Sequence, residues 1–405
     1  MFLTRVRIQN FRSIAACDVR LGALTVLAGP NAAGKSNFLD ALSFVRDALR
    51  WTPARALEPR GGLEEVLRKS PAGAQADFFR IHLDLSVPSP ELETGTLDAS
   101  YLVEVGADPE DGRPGIRREE LSILGITHLL STPPQGRQTQ ENLRDDLVLA
   151  RPLRENREFS EIYRRLHSMR FYELHTHVLR DVDQTRGRRG GYVLGERGEH
   201  LARVLAYLAR DTPWAMDTIN GYISTMIDNA AGLDGKEFNE ADLAFVVGRF
   251  REDGQQKEVD RRSLSDGTLR LAGVLAALFQ HRALNGSIPF IGIEEPEISL
   301  HPPMLGALYD ALLGASHNTQ VMVTTQSADL LDNSAAHPDH VLVVRNDGHG
   351  SVIGPIDETG HQLLADGVLS LPELLRSGEM RPANDPRRGF WEEGPQTGLG
   401  RGIPQ

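Results

Sequence analysis

Apolar and polar residues alternate with a period of two from Leu3 to Ile8 and again from Ala16 to Leu21. That spacing predicts strands with one buried face. Leu24 to Ala28 reads as a fully buried strand, and Asn37 to Leu42 carries apolar residues at helical spacing. Pro53, Pro59, Gly61 and Gly62 break the pattern, so residues 49–75 read as loop. Three strand-like runs follow, Phe78–Leu85, Ser100–Val105 and Glu120–Leu124, and predict an antiparallel meander over 76–126. Residues 127–145 are polar and rich in Gln and Thr, an excursion from the fold. From 150 to 235 the pattern is largely helical. Leu201, Val204, Leu205 and Leu208 share one helix face, and Ile219, Ile223 and Ile227 share another. Alternation returns at Ala244–Phe250 and helical spacing at Leu269–Phe279. Ile288–Ile293 is a buried strand that ends in acid; a helix over 303–314 and strands over 320–325 and 340–345 complete a βαβ pattern. Beyond about 381 the chain is dense in Pro, Gly and charge, which predicts a disordered tail over 381–405.

The turn between the buried strand and the first helix reads Gly29-Pro30-Asn31-Ala32-Ala33-Gly34-Lys35-Ser36. Two glycines flank four residues and Lys-Ser follows, the phosphate-binding P-loop pattern in its proper strand–turn–helix context. Backbone N–H groups and the helix dipole there face an anion. Lys35 would reach the β- and γ-phosphates, the Ser36 hydroxyl would ligate Mg2+, and Asn37 continues the nucleotide-binding turn. A second piece is Ile291-Gly292-Ile293-Glu294-Glu295-Pro296-Glu297, where an apolar strand delivers successive carboxylates to its C-terminal end. Glu294 is expected to hold Mg2+ through water and Glu295 to act as general base on an attacking water. A third piece, Ser263 to Arg270, sets a serine and a glycine before a long apolar-faced helix. That is a second helix N-terminus able to meet phosphate oxygens, or a plain N-cap.

Composition narrows this picture. The 405 residues are 40% hydrophobic and 25% charged, ordinary for a soluble globular protein. No apolar run is long enough for a membrane span, and charges interrupt the N-terminal segment, so a cytoplasmic protein is expected. The single cysteine, Cys17, excludes an intrachain disulfide framework. A net charge of −12 confines any nucleic-acid contact to a local patch or a partner chain. Lysine is rare, with four residues, and one of them is Lys35. His175 and His177 alternate like ligands on one strand face, but a third ligand at recognisable spacing is missing.

The order of P-loop, Ser-x-Gly helix and acidic strand resembles the ABC-type ATPase superfamily. The nearest branch is the soluble one of the SMC, RecF and overcoming-lysogenization-defect (OLD) proteins, many of the last linked to anti-phage systems. Asn10-Phe11-Arg12-Ser13, Leu300-His301-Pro302 and Thr324-Thr325-Gln326-Ser327 strengthen the resemblance. It is strong over about 1–48 and 258–346 and weaker over 168–210. It implies an α/β fold: an ABC-type head with a mixed sheet, an antiparallel β subdomain and a helical lobe. The ATPase core would be split between 1–48 and 240–380, with the helical lobe at 145–235. It implies two heads that bind ATP between them, with Ser265, Asp266 and Gly267 completing the partner's site. Arg12 would lie near the nucleotide, Gln326 at the switch position against the γ-phosphate, and Ser299-Leu300-His301 in the D-loop. The chain departs from the pattern at Asp266 (usually Gly), Thr268 (usually Gln or Glu), Glu294 (usually Asp) and Gln326 (often His).

Ser36 and Ser265 lie 229 positions apart, and the interval lacks sustained heptads, so a compact lobe replaces any long arm. Arg186, Arg188 and Arg189, near Arg180 and Arg197, form a Gly-rich basic stretch that reads either as a loop touching a phosphate backbone or as a plain solvated loop. About 60 residues follow Arg345, too few for the nuclease domain of OLD-type proteins, so a nuclease or toxin effector would be a separate chain. The reading is a Mg2+-dependent ATPase that dimerises on ATP and regulates a DNA-related or anti-phage effector. The alternatives are a DNA-binding repair or recombination ATPase and a non-hydrolytic ATP-gated scaffold.

Overall fold

A computed structural model of the chain describes residues 2–69, 73, 75–89, 91–107, 112–131, 147–150, 157–184, 192–238 and 241–383. The expected basic loop with Arg186, Arg188 and Arg189 lies outside these residues. So do 132–145 of the polar excursion and 384–405 of the tail.

The fold is mixed α/β. Strands β1 (Leu3–Phe11), β2 (Ile14–Arg20) and β3 (Leu24–Ala28) come first. Helix α1 (Lys35–Arg50) follows, then two short turns, α2 (Pro53–Leu57) and α3 (Leu63–Val66). The meander is β4 (Phe78–Pro88), β5 (Thr96–Ala107), β6 (Pro114–Ile123) and β7 (Ile126–Ser131). Next come α4 (Arg157–His167), β8 (Arg170–Tyr172), α5 (Thr176–Arg180), α6 (Leu201–Asp211) and α7 (Pro213–Met226). A small antiparallel sheet of β9 (Ala230–Phe238), β10 (Leu243–Glu252) and β11 (Gln255–Asp260) precedes α8 (Asp266–Phe279) and α9 (His281–Leu284). The chain continues through β12 (Phe290–Glu294), α10 (Leu305–Ala315), β13 (Gln320–Thr325), β14 (Val341–Asn346) and β15 (Ser351–Pro355). Helices α11 (Glu358–Ala365) and α12 (Leu371–Arg376) close the described part.

Among the described residues one sheet holds twelve strands in the order β7-β6-β5-β4-β1-β2-β15-β14-β3-β13-β12-β8. Its core, β14-β3-β13-β12-β8, is parallel; its wing, β7 to β2, is antiparallel. The continuous apolar runs become the parallel centre: every residue of β3 and β13 is buried, as strands covered on both faces require. One apolar core takes Leu24 and Val26 of β3 with α6, α7, α8 and α10. The other takes Leu27 with α1 and the inner face of β1, β4 and β5. The expected meander is thus a continuation of the main sheet. The wing is tied to the core by Gln320, 4% exposed, whose Oε1 accepts from Leu3 N at 2.7 Å and whose Nε2 donates to Leu3 O at 2.7 Å and Gly22 O at 2.8 Å.

Two strands interrupt the stretch expected to be largely helical. β8 has three residues, too few for periodicity to register, and exists because it pairs in parallel with β12. Gly292 makes room for it: a Cβ there would meet Phe171 Cδ1 at 2.9 Å. β9 contains Gly232, Gly235, Asp234 and Lys236, which break any strand alternation, and its register is imposed by β10. β7 likewise takes the first residues of the expected excursion.

On the outer face of the wing, Arg7 Nη2 lies 3.1 Å from His82 Nε2, a contact that requires an unprotonated nitrogen. Burial, then Arg7, Arg118, Arg5 and Arg80, push His82 down to about 3. An unfolded chain takes up this proton near pH 6.5, so the unfolded state binds more protons between about 6.5 and 3 and stability falls as pH drops through that window. Melting temperatures from pH 7 to pH 5 should fall less for His82→Gln than for the parent, with the stability difference growing by at most about 1.4 kcal/mol per pH unit. Equal slopes would exclude His82 as a source of acid sensitivity.

Candidate active site

The P-loop leaves β3 with Gly29 N donating to Thr325 O at 3.2 Å. Both framing glycines are required by close approach. A Cβ on Gly29 would sit 2.1 Å from Val344 O, and one on Gly34, at φ +105°, would sit 2.0 Å from Ser351 Oγ. Ala32 also takes a positive φ of 59°. Two serines pin the loop from outside. Ser351 Oγ donates to Ala33 O at 2.6 Å and lies 2.6 Å from Ser13 Oγ. Asn37, expected at the nucleotide, donates its side-chain N–H to Ser13 Oγ at 2.6 Å. No side chain caps the N-terminus of α1, so its first N–H groups remain available to an anion. Lys35 is 5% exposed and donates to Gly29 O at 2.9 Å and Pro30 O at 3.0 Å. Burial lowers its pKa below that of an ordinary lysine, and Glu295, Glu297 and Glu294 pull the other way.

Parallel pairing of β12 with β13, and of β13 with β3, brings the acidic turn to the same sheet edge. Ser36 Oγ donates to Glu294 Oε2 at 2.7 Å. Burial raises the Glu294 carboxyl, the Ser36 bond offsets part of that, and Glu173 and Asp40 add to the rise. Glu295 has a positive φ of 41°, and its N–H donates to Thr324 O and Thr324 Oγ1, both at 3.1 Å. Glu297 is 7% exposed; Thr325 Oγ1 donates to its Oε1, while its Oε2 is buried with no hydrogen-bond partner. Burial raises this carboxyl too. Ser36 and Glu294 supply hard oxygen donors, which suit Mg2+. No three His, Cys, Asp or Glu among the described residues form a metal cage, and none is needed by an ion that keeps waters and phosphate oxygens in its shell.

Arg12, with φ 49°, pairs through Nε with Asp40 Oδ2 at 2.8 Å and lines a cleft of about 830 Å3 with Ser36, Asn37 and Glu294. Gln326 lies beyond β13 in a separate depression of about 430 Å3 with Gly29 and Pro30. Ser265 is the N-cap of α8, accepting from Thr268 N at 3.1 Å. Asp266 Oδ1 pairs with Arg180 Nη2 at 2.6 Å. A Cβ on Gly267 would meet Ser299 O at 2.5 Å, so the backbone at Ser299 rests on this glycine. Ser265, Asp266 and Gly267 line a depression of about 610 Å3 with Ser299 and His301, without any P-loop residue. The structure therefore brings Lys35, Ser36, Glu294 and Glu295 together and leaves the Ser265 turn elsewhere on the same chain.

Two further residues, Glu173 and Arg270, escaped the sequence reading, and Arg180, expected beside the basic loop, takes a different place. Glu173 follows β8 and shares the clefts of Glu294, because a strand beside β12 ends on the same edge. Arg270 donates to Leu174 O at 2.9 Å and to Glu295 O at 3.3 Å, tying α8 to the acidic turn. Arg180 donates to the carbonyls of Arg261 and Leu264, both at 2.8 Å, and fixes the approach to α8. The detectable signal was Phe171-Tyr172 followed directly by an acid; nothing local marks the two arginines.

A glycine-framed loop with lysine and serine, facing an acidic strand across a parallel sheet, defines an ABC-type P-loop ATPase head. The chain belongs to the family described as "AAA domain, putative AbiEii toxin, Type IV TA system", whose model matches residues 24–332. It is 22% identical over 358 residues to an OLD nuclease of Thermus scotoductus, a match covering 82% of this chain and 60% of that relative's length. An SMC head bound to the C-terminal winged-helix domain of ScpA is similar in fold, with TM-score 0.55 at 11% identity over 89% of this chain and 100% of the other. The Smc head of Pyrococcus yayanosii, solved with a coiled coil and joint, gives 0.54 at 9% identity over 91% and 100%. That of Pyrococcus furiosus, bound to a ScpA C-terminal domain, gives 0.52 at 12% identity over 91% and 99%. Among the described residues no helix is long and apolar enough to cross a membrane.

Gly29→Ala drives a methyl group into a backbone carbonyl that cannot swing aside. The variant should lose about 1–3 kcal/mol of stability, read from denaturant midpoints, together with nucleotide affinity. A parent-like midpoint would refute the close packing of β14 on the loop.

Proposed function

We propose that this chain binds and hydrolyses ATP with two protomers closed around each nucleotide. The observation that carries the reading is the 2.7 Å hydrogen bond from Ser36 to Glu294, which sets the P-loop hydroxyl against the first acid of the strand. Lys35 and the N–H groups at the start of α1 cradle the β- and γ-phosphates. Ser36 directly and Glu294 through water hold Mg2+, which when bound neutralises charge on those phosphate oxygens. Glu295 takes a proton from the attacking water. The water oxygen bonds to the γ-phosphorus as its bond to the β,γ-bridging oxygen breaks, giving ADP and inorganic phosphate. Gln326 donates a hydrogen bond to the γ-phosphate and Arg12 lies beside the nucleotide.

Ser265, Asp266 and Gly267 complete the site of the partner protomer. Their separation from the chain's own P-loop supports that role. Closure then controls a separate effector, a nuclease or toxin, in a DNA-related or anti-phage setting; the resemblance to an OLD nuclease supports this output. Any direct contact with nucleic acid through Arg186, Arg188 and Arg189 belongs to the same reading.

Lys35→Ala should abolish nucleotide binding in calorimetry; unchanged affinity would end the reading. Glu295→Gln should cut phosphate release by at least about a hundredfold while preserving binding, and should show twice the protomer mass in ATP. Adding Ser265→Ala to it should return the mass to that of one protomer. A Glu295→Gln protein that still turns over, or stays monomeric in ATP, would overturn the base assignment or the composite site respectively.

A further inference from the structure

Thr325, the last residue of β13, is fully buried, and three turns of the site meet on it. Its carbonyl accepts from Gly29 N at 3.2 Å, where the P-loop begins. Its hydroxyl accepts from Ser327 N at 3.0 Å, which folds the chain around Gln326. The same hydroxyl donates to Glu297 Oε1. Through Glu297 the acidic turn is therefore joined to the P-loop and to the turn of Gln326.

The acidic turn needs such a join. It carries two non-glycine residues in the left-handed region, Glu295 at φ 41° and Ser299 at φ 68°. Backbone of this kind persists only where its surroundings hold it. The turn's own bonds are short-range, from Ile298 N to Glu295 O at 3.2 Å and from Leu300 N to Glu297 O at 3.0 Å. The end of β13 grips it from outside at two points, Thr324 on Glu295 N and Thr325 on the Glu297 side chain. The second grip is costly. Glu297 is 7% exposed, and its Oε2 is buried with no hydrogen-bond partner among the described residues. Burial raises the carboxyl; the Thr325 hydroxyl, its own N–H and the N–H of Gln326 pull it back. A residue that only filled this space would serve stability better as an apolar one, since a buried charge with an unmet oxygen is destabilising. What the carboxylate adds is a strong acceptor for the hydroxyl at the joint.

We propose that Glu297 is a positioning residue for the hydrolytic step: through Thr325 it locks the turn that carries Glu295 to the turn that carries Gln326, so that the water-activating carboxylate and the γ-phosphate contact keep a fixed separation. It acts through Thr325 and not on the nucleotide. This role rests on the hydrolysis proposed above and adds to it a residue that governs turnover, not affinity.

The test uses the full chain with Mg2+ and ATP. Steady-state phosphate release gives kcat and KM, and calorimetry with a non-hydrolysable ATP analogue gives affinity. Glu297→Ala and Thr325→Val should each lower kcat at least about tenfold, the scale of a displaced reacting group, while analogue affinity stays within about threefold of the parent. The double variant should be no slower than the slower single one, because both substitutions break one link. Glu297→Gln keeps an acceptor for Thr325 and should turn over at least about fivefold faster than Glu297→Ala. It should also melt at the parent temperature or above, since it removes a buried charge. Thr325→Val keeps the shape of the side chain and carries the test if Glu297→Ala fails to fold. The role is overturned if Glu297→Ala or Thr325→Val turns over at the parent rate, if affinity falls in step with rate, if the losses add in the double variant, or if Glu297→Gln is as slow as Glu297→Ala. A parent that releases no phosphate ends the hydrolytic reading and this role with it. A parent that turns over beside an equally fast Glu297→Ala leaves that reading standing and removes only the role of Glu297.

Discussion

The register of the parallel ladder through β12, β13 and β3 is the constraint on which the site depends. Glu294 lies opposite Thr324, and Thr325 lies opposite Ala28, so all three strands end on one edge. Gly29, the acidic turn and Gln326 leave the sheet side by side for that reason alone. An open parallel sheet places ligands at such an edge, where helix N-termini and strand C-termini converge. A slip of one residue would reverse the face of every side chain and separate Ser36 from Glu294. The packing leaves little freedom for one, since Gly29 already touches Val344 O and Gly292 touches Phe171.

Within that frame the electrostatics are lopsided. One buried lysine faces Glu294, Glu295 and Glu297, and all three favour its charge while burial opposes it. Glu294 and Glu297 are each raised by burial and each relieved by one hydroxyl, from Ser36 and Thr325. A surplus of carboxylate beside a single ammonium suits a divalent cation bound together with phosphate, since the ion supplies the charge the protein withholds. Glu297 shows the cost most plainly, with a buried oxygen left without a hydrogen bond.

The antiparallel wing is coupled to this chemistry. The turn between β1 and β2 carries Ser13, which meets Ser351 of β15 and Asn37 of α1, and Ser351 holds the carbonyl of Ala33. Two segments distant in sequence thus fix the P-loop by hydroxyl contacts. Gln320 adds a fully satisfied link between the first strand and β13. Arg180 and Arg270 do the same for α8, binding its start and its first turns to the segments after β8 and β12.

By itself the sequence determined whatever rests on local pattern. Leu24–Ala28 is apolar throughout and forms β3 as read; Lys35–Arg50 follows as a helix, and Ile293-Glu294-Glu295 ends a buried strand. These signals are strong because a buried strand, a glycine turn and a helix each impose a short-range rule on composition. The family was legible for the same reason, since its motifs are contiguous. The tertiary structure alone decided what depends on pairing between distant segments. Arg170–Tyr172 is a strand only because β12 offers an edge, and Ala230–Phe238 only because β10 does. Asn37 turns to Ser13, and Arg180 reaches the carbonyls of Arg261 and Leu264, more than 80 positions away. No periodicity reports such meetings, because their energy comes from neighbours that the chain acquires only on folding.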